Sequence, residues 1–459
     1  MQCWAAMLAY CSLSKKRSAS ADAPTGRFPY VTAARPALIE GGLRPGSHPG
    51  IAISRSRGRR RAAPFPVALA IIAAACGALS AIRQDLGGEL FLGELALIPV
   101  GLLSLIAWRG RRLLADPLFY GLIAAGLLTF AGYVLSDLAA GTPEQQYVRG
   151  WARVAFTLAD AVFLGLLAVN DARVLLAFAL GYGLGTAGVS AGSGFGLLTE
   201  WKIGYGQGLS LAFLALVGIL PHRARAFAVL AFGAASVLLD YRSLGGVMIA
   251  IGAVLLVRAA RPDAPLLVRR SFVSIAVVGA IAIAVLIAAV GATRDEYGAR
   301  WASSNAGRTL DLVVGLPAIW ASPLVGYGSW AFSRELGSEA RSALAERLTT
   351  ESGRRTADAV RTYFPHSQLI QSWYEGGILG ISFFVVYLAV IAGTLSRVAR
   401  VRPLDAASPL LLYVLTIGLW NVFMSPWGGN HRLAIALAIG AVFVVRAERR
   451  LARRGDRPR

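Results

Sequence analysis

The sequence predicts an all-α, polytopic integral membrane protein of about twelve transmembrane helices with one long periplasmic loop. Three observations predict it. Hydrophobic residues make up 56% of the chain and charged residues only 15%, a balance suited to lipid as solvent. From Pro64 onward, apolar stretches recur at roughly the 20-residue length that crosses ~30 Å of hydrocarbon. Basic residues gather in alternate connections between those stretches, as they do in helices oriented by a bilayer.

Taken in order, residues 1–62 read as a disordered, basic N-terminal tail. "SKKRSASADAPTG" and "SRSRGRRRAAP" are rich in Ser, Arg, Pro and Gly and have too few apolar residues to build a core. The opening "MQCWAAMLAYCSL" is apolar but lacks the charged flank of a signal peptide, and a start codon placed too far upstream would account for it. Residues 63–292 are expected to hold helices 1–9, as spans 64–82, 88–108, 114–137, 151–169, 172–190, 204–220, 224–240, 243–258 and 271–292. Residues 293–375 form the long periplasmic loop. Residues 376–447 hold helices 10–12 (376–396, 407–424 and 431–447), and 448–459 is a basic cytoplasmic tail.

Placing the tail before Pro64 in the cytoplasm puts "RGRR", "NDAR", "PHRAR", "RAARPDAPLLVRR" and "SRVARVR" there as well. The opposite connections, among them "SDLAAGTPEQQYVRG", "DYRS" and "SPWGGN", are poorer in Arg and carry most of the acids. Both termini are then cytoplasmic. A loop of ~80 residues is well beyond an ordinary connection and is expected to be functional and partly helical. Its "ALAERLTTESGRRTADAVRTYF" has amphipathic spacing suited to a bilayer surface.

The net charge of +21 on a soluble protein would point to nucleic acid. Here the arginines lie between spans and at the ends, and no nucleic-acid motif accompanies them, so no nucleic-acid partner is expected. Cys3, Cys11 and Cys76 make neither a metal spacing nor a disulfide framework. There is no phosphate-binding glycine loop, no HExxH, no GxSxG and no paired carboxylates in the outer loop, so neither a metal nor another cofactor is expected.

The chemistry-bearing candidates lie at the outer face. His366, one of four histidines, stands where the long loop returns to the membrane. His366, Ile370, Trp373 and Gly377 follow helical spacing and share a face if the helix is continuous. Glu375 would then lie ~900° around from His366, on the opposite face. Either Gly376-Gly377 breaks the helix, or Glu375 has a separate task such as holding an outer-loop arginine. Gly377 and Gly380 would allow close helix packing. Arg242, in "VLLDYRSLGGVMIA", sits between two spans with almost no loop, and Arg308, in "SSNAGRTLDLVVG", opens an apolar helical stretch. Arginine at membrane depth is expensive unless paired or serving a substrate. Asp240 would pair Arg242, and plain exposure would explain Arg308. Two guanidiniums and an imidazole facing one cavity would instead suit a phosphorylated ligand. Glu89, Glu94 and Asp160 are further acids near or within spans, carrying a weaker signal.

Three pieces stand in order: "DYRSLGG", "NAGRTLDLVVGLPAIWASPLVGYG" and "HSQLIQSWYEGGILG". Together they resemble the O-antigen ligase family of bacterial membrane glycosyltransferases, which also holds O-antigen and exopolysaccharide polymerases. The third piece resembles the family's hallmark through His366, Ser367, Leu369, Gln371, Glu375, Gly377 and Gly380. Ser367 departs from a common Asn, and Ser243 and Leu244 separate Arg242 from Gly245. The resemblance implies a metal-independent, inverting glycosyl transfer at the periplasmic face of the inner membrane. The donor would be a glycan on undecaprenyl diphosphate, and the acceptor a hydroxyl of another glycan, of lipid A-core or of a protein. Arg242 and Arg308 would hold the diphosphate, and His366 would be the general base. Glu375, Gln371 and Tyr374 would support them. From another class, a transporter or flippase for an anionic or lipid-linked sugar would use the same arginines without a base. It would be expected to show internal repeats, which the sequence lacks.

Overall fold

The computed structural model describes residues 67–85, 89–106, 111–169, 171–193, 201, 205–239, 241–260, 311–331, 365–400 and 405–455. The basic tail, the expected span 271–292, Arg308, Asp240 and the amphipathic stretch 343–364 lie outside them.

Besides connecting turns and single helical turns at Arg111–Leu114, Val217–Ile219 and Asp311–Gly315, the described residues form helices and one two-stranded antiparallel ribbon, β1 (Arg83–Asp85) and β2 (Glu89–Phe91). The helices are α1 (Val67–Leu79), α2 (Leu92–Ile106), α3 (Pro117–Ala140), α4 (Glu144–Ala168), α5 (Ala172–Gly192), α6 (Gly206–Leu216), α7 (His222–Leu238) and α8 (Arg242–Ala260). Then come the short α9 (Leu316–Ala321), α10 (Gln368–Gly380), α11 (Ser382–Arg400), α12 (Ser408–Met424) and α13 (Gly429–Gly455). Every expected span except 271–292 coincides with one or two of these. Six described helices, α3, α4, α5, α8, α11 and α13, are long and apolar enough to cross a membrane. The apolar helices α1, α2, α6 and α12 are shorter. The chain is thus an all-α protein with multi-pass membrane character, with six helices of full membrane-crossing length among the described residues.

Local chemistry sets the helix ends. Asp116 opens α3: its Oδ1 accepts the Leu118 N–H at 3.0 Å, and Pro117 fills the first helical position, where no donor is missed. Gly141 closes α3 at φ +59°. Asp171 caps α5 by accepting from the Arg173 N–H at 2.9 Å. The α7–α8 hairpin turns tightly, with the Tyr241 N–H donating to the Ser236 carbonyl at 2.9 Å.

Two ends of the bundle follow from cross-helix contacts. At one, the Asp116 carboxylate takes two hydrogen bonds of 2.9 Å from Arg446 and pairs with Arg450. Arg225 there donates to the carbonyls of Asp405, Gly218 and Leu220, and Arg258 to that of Val398. The Gly218, Leu220 and Val398 carbonyls among these lie at helix ends, where the helix itself leaves them open. Arg242 opens α8 at the opposite end, about 1.5 Å per residue away from Arg258 over the intervening turns. The same opposite end holds His366 and the start of α13. Between the ends runs a continuous core of leucines, valines and aromatics, to which α12 and residues 432–444 of α13 contribute most of their length.

Candidate functional site

The expected continuous helix from His366 to Gly377 does not form. Ser367 is the N-cap of α10: its Oγ accepts the Ile370 N–H at 3.3 Å. That leaves His366 outside the helical ladder, so the 100°-per-residue argument does not set its direction. The His366 backbone N–H instead donates to both oxygens of the Asp311 carboxylate, at 2.9 and 3.1 Å. Ser367 Oγ also donates to the Val422 carbonyl at the end of α12, at 3.0 Å. His366 is thereby fixed between α12 and the segment that follows Arg308. Its own side chain is half-buried.

Of the two alternatives for Gly376-Gly377, both hold in part. Gly377 adopts φ +62°, ψ −161°, which breaks α10. A Cβ there would lie 2.2 Å from the Leu324 carbonyl oxygen, so glycine is required by conformation and by space. The turn Ser322–Gly328, the "SPLVGYG" piece, docks into this break. The Ile378 N–H donates to the Leu324 carbonyl at 3.3 Å, the Tyr327 N–H to that of Tyr374 at 2.9 Å, and the Gly328 N–H to that of Glu375 at 3.1 Å. Trp373 Nε1 donates to the Pro323 carbonyl at 3.0 Å, and Tyr327 stacks on Tyr374 with centroids 4.7 Å apart. Two of the three sequence pieces are thus joined by hydrogen bonds and ring stacking. From the other side α3 closes in: a Cβ at Gly132 would sit 2.6 Å from the Gly376 carbonyl oxygen, and Thr129 Oγ1 bridges the Gly380 carbonyl and the Phe383 N–H.

Glu375 is 1% exposed and does hold an arginine, but one within α4. Its Oε2 pairs with Arg153 and accepts from Tyr133 Oη at 2.8 Å. Its Oε1 accepts from the Trp330 N–H and from Gln371 Nε2, both at 3.3 Å. Gln371 relays the network, since its Oε1 accepts the Trp427 N–H at 2.8 Å. Arg153 lies in an aromatic box, its guanidinium carbon 4.9 Å from the Trp427 ring, 5.1 Å from Trp330 and 5.5 Å from Tyr133. Trp330 takes φ +61°, a conformation that a bulky residue adopts only when its surroundings dictate it. The Glu375 carboxylate and the Arg153 face supply that dictate. Beside it, Asp137 accepts from the Ser329 N–H at 2.6 Å, from Ser329 Oγ at 2.9 Å and from Trp151 Nε1 at 2.8 Å.

The arrangement therefore sorts the candidates. Glu375, Gln371 and Tyr374 are buried and hold the seam between the returning loop and the bundle. His366 and Arg242 stand at the same end of the bundle on different elements. Arg308 is outside the described residues, though its neighbour Asp311 is bonded to His366. Sequence reasoning missed Arg153, Tyr133, Trp427, Asp137 and Asp311. Arg153 had a signal: a cation inside the apolar run "GWARVAFTLADAVFLGLL" demands a partner.

No family model matches the chain. A 112-residue stretch, 24% of the chain, is 32% identical to part of a K(+)-insensitive pyrophosphate-energized proton pump from Pyrobaculum aerophilum. The chain spans about a sixth of that protein's length, as the match covers 16% of it.

Proposed function

We propose that the protein is a multi-pass inner-membrane glycosyltransferase that moves a glycan from undecaprenyl diphosphate to an acceptor hydroxyl at the periplasmic face. In this reading about twelve spans cross the membrane, both termini are cytoplasmic and the 293–375 loop is periplasmic. His366 takes the proton from the acceptor hydroxyl as it attacks the anomeric carbon. Arg242 and Arg308 hold the diphosphate and stabilise it as it leaves. The chemistry uses no metal or other cofactor. Supporting residues Glu375, Gln371 and Tyr374 keep the returning loop seated.

One observation supports this reading above the rest. The "SPLVGYG" turn and the "HSQLIQSWYEGG" segment, which the family resemblance pairs by order alone, are hydrogen-bonded at the Gly377 break. A loop so anchored presents His366 at a fixed place, as a base must be presented. A second reading, from another class, is a transporter or flippase for an anionic or lipid-linked sugar, which would use the same arginines without a base.

The deciding experiment supplies proteoliposomes with an undecaprenyl-diphosphate oligosaccharide and a glycan acceptor, without added metal or ATP. Release of undecaprenyl diphosphate with a glycosylated acceptor, lost in His366→Ala, is the expected result. Donor translocation without cleavage, unchanged by that substitution, would establish the transporter and return His366 to a structural role.

A further inference from the structure

Six acidic side chains are buried among the described residues: Glu94, Asp116, Asp137, Asp160, Asp311 and Glu375. Five of them accept hydrogen bonds from identified donors. Asp116 and Glu375 face arginines, Asp137 takes three donors around Ser329 and Trp151, and Asp311 takes the His366 N–H. Glu94 accepts from Arg432 Nε at 2.6 Å and Nη2 at 2.9 Å, and from the Phe91 N–H at 3.0 Å. Asp160 is the exception. It is 1% exposed, and neither carboxyl oxygen receives a hydrogen bond from any N–H or hydroxyl among the described residues. The charged groups that bear on it are the Glu94 carboxyl and the Arg432 guanidinium.

An ionised carboxylate is an acceptor only. Two such groups side by side have no hydrogen to share and repel each other, and burial strengthens that repulsion. Charge gives the same result. Glu94, Asp160 and Arg432 sum to −1 if both acids are ionised, and an unbalanced charge away from water is far costlier than a neutral set. One hydrogen supplies both the missing donor and the missing charge. We propose that Asp160 and Glu94 form a buried proton-binding site between α2, α4 and α13. One proton is held between the two carboxyls, and Arg432 balances the remaining negative charge. Glu94 is the member fixed as anion by the two Arg432 donors, so the acid form resides mainly on Asp160, with its O–H donated to Glu94. Arg432 is itself pinned, since its Nη2 also donates to the Glu89 carbonyl at 2.7 Å and its guanidinium carbon lies 5.7 Å from the Phe91 ring. The site is separate from the Arg153–Glu375 box, which is neutral already, and it does not depend on the glycosyltransferase reading.

Infrared spectroscopy of the purified full chain in lipid nanodiscs tests this directly. At neutral pH the wild type should show the C=O stretch of a protonated carboxyl, above the amide bands and shifted down in D2O. Labelling with carboxyl-13C aspartate should move it, and Asp160→Asn should remove it. The asparagine has the shape of the neutral acid and can donate to Glu94, so this variant should keep the wild-type unfolding temperature. Absence of the band in the wild type would overturn the proposal without recourse to any variant. So would a band that ignores the aspartate label, or one that disappears on adding sodium, which would assign the site to a metal cation.

Discussion

Replacing Glu375 with Ala removes the anion from the Arg153 box and leaves its four contacting groups behind. Arg153 is only 3% exposed, so its charge loses its partner without gaining water. Breaking a buried pair from one side costs roughly 3–5 kcal/mol. The Trp330 N–H, Tyr133 hydroxyl and Gln371 amide also lose an acceptor, each worth on the order of 1 kcal/mol or more, though not additively. We expect a net loss of about 4 kcal/mol, or roughly a thousandfold in the folded-to-unfolded ratio. At ~2 °C per kcal/mol this lowers Tm by on the order of 8 °C. The assay is thermal unfolding in nanodiscs at fixed scan rate, followed by tryptophan fluorescence, because Trp330 and Trp427 report on the box. A double substitution, Arg153→Met with Glu375→Gln, removes both charges and should recover at least 1 kcal/mol against the sum of the single losses. A Glu375→Ala loss below ~1 kcal/mol, or a double variant as unstable as that sum, would refute the reasoning.

Other expectations concern single positions. Gly377→Ala places a methyl against the Leu324 carbonyl at a positive φ and should cost about 2–3 kcal/mol, read by the same unfolding assay. Under the proposed glycosyl transfer, His366→Ala should abolish product formation yet move Tm by less than ~2 °C, since the His366 contacts to Asp311 are made by its backbone N–H. Burial alone would raise the Asp116 carboxyl, but the hydrogen bonds from Arg446 and the Leu118 N–H, with the charges of Arg446 and Arg450, outweigh it and hold it below its ordinary value. A depressed folded-state value means stability that is present above the ordinary carboxylate range and lost as pH falls through and below it. Asp116→Asn should therefore flatten the acid limb of a Tm-against-pH curve, and an unchanged limb would count against the clamp.

The membrane character and most helix positions were legible because apolar length and Arg placement are local signals. The lengths of α1, α2, α6 and α12 depend on where turns and caps fall, and composition does not fix that. In the site, the break at Gly377 was legible as one of two alternatives. The position of His366 was not, because helical spacing carries no notice that Ser367 would cap and stop the ladder. Arg153 was visible as an unpaired cation in an apolar run, but its partner lies 222 positions away. Tyr133, Asp137 and Asp311 became identifiable only once tertiary contacts brought the Ser322–Gly328 turn against α3 and α10. Asp160 was noted as an acid in a span, and only packing shows that its neighbour is another acid.

The docking of the Ser322–Gly328 turn at Gly377 has a consequence for how the chain can change. The two flanks of the interval between residues 331 and 365 are tied to each other, through Trp330 and Glu375 and through His366 and Asp311, and each is moored to the bundle, one through Gly326 and Ser136 and the other through Ser367 and Val422. Mooring separates the length of that interval from the geometry of its attachment points. Doubling a flexible connection costs only about 0.6 kcal/mol in closure entropy. Insertions and deletions between the moorings can thus alter what the outer segment reaches while His366 and the Arg153 box keep their places. Under the proposed glycosyl transfer, swapping this interval among related chains would be an economical way to vary the acceptor on a constant scaffold.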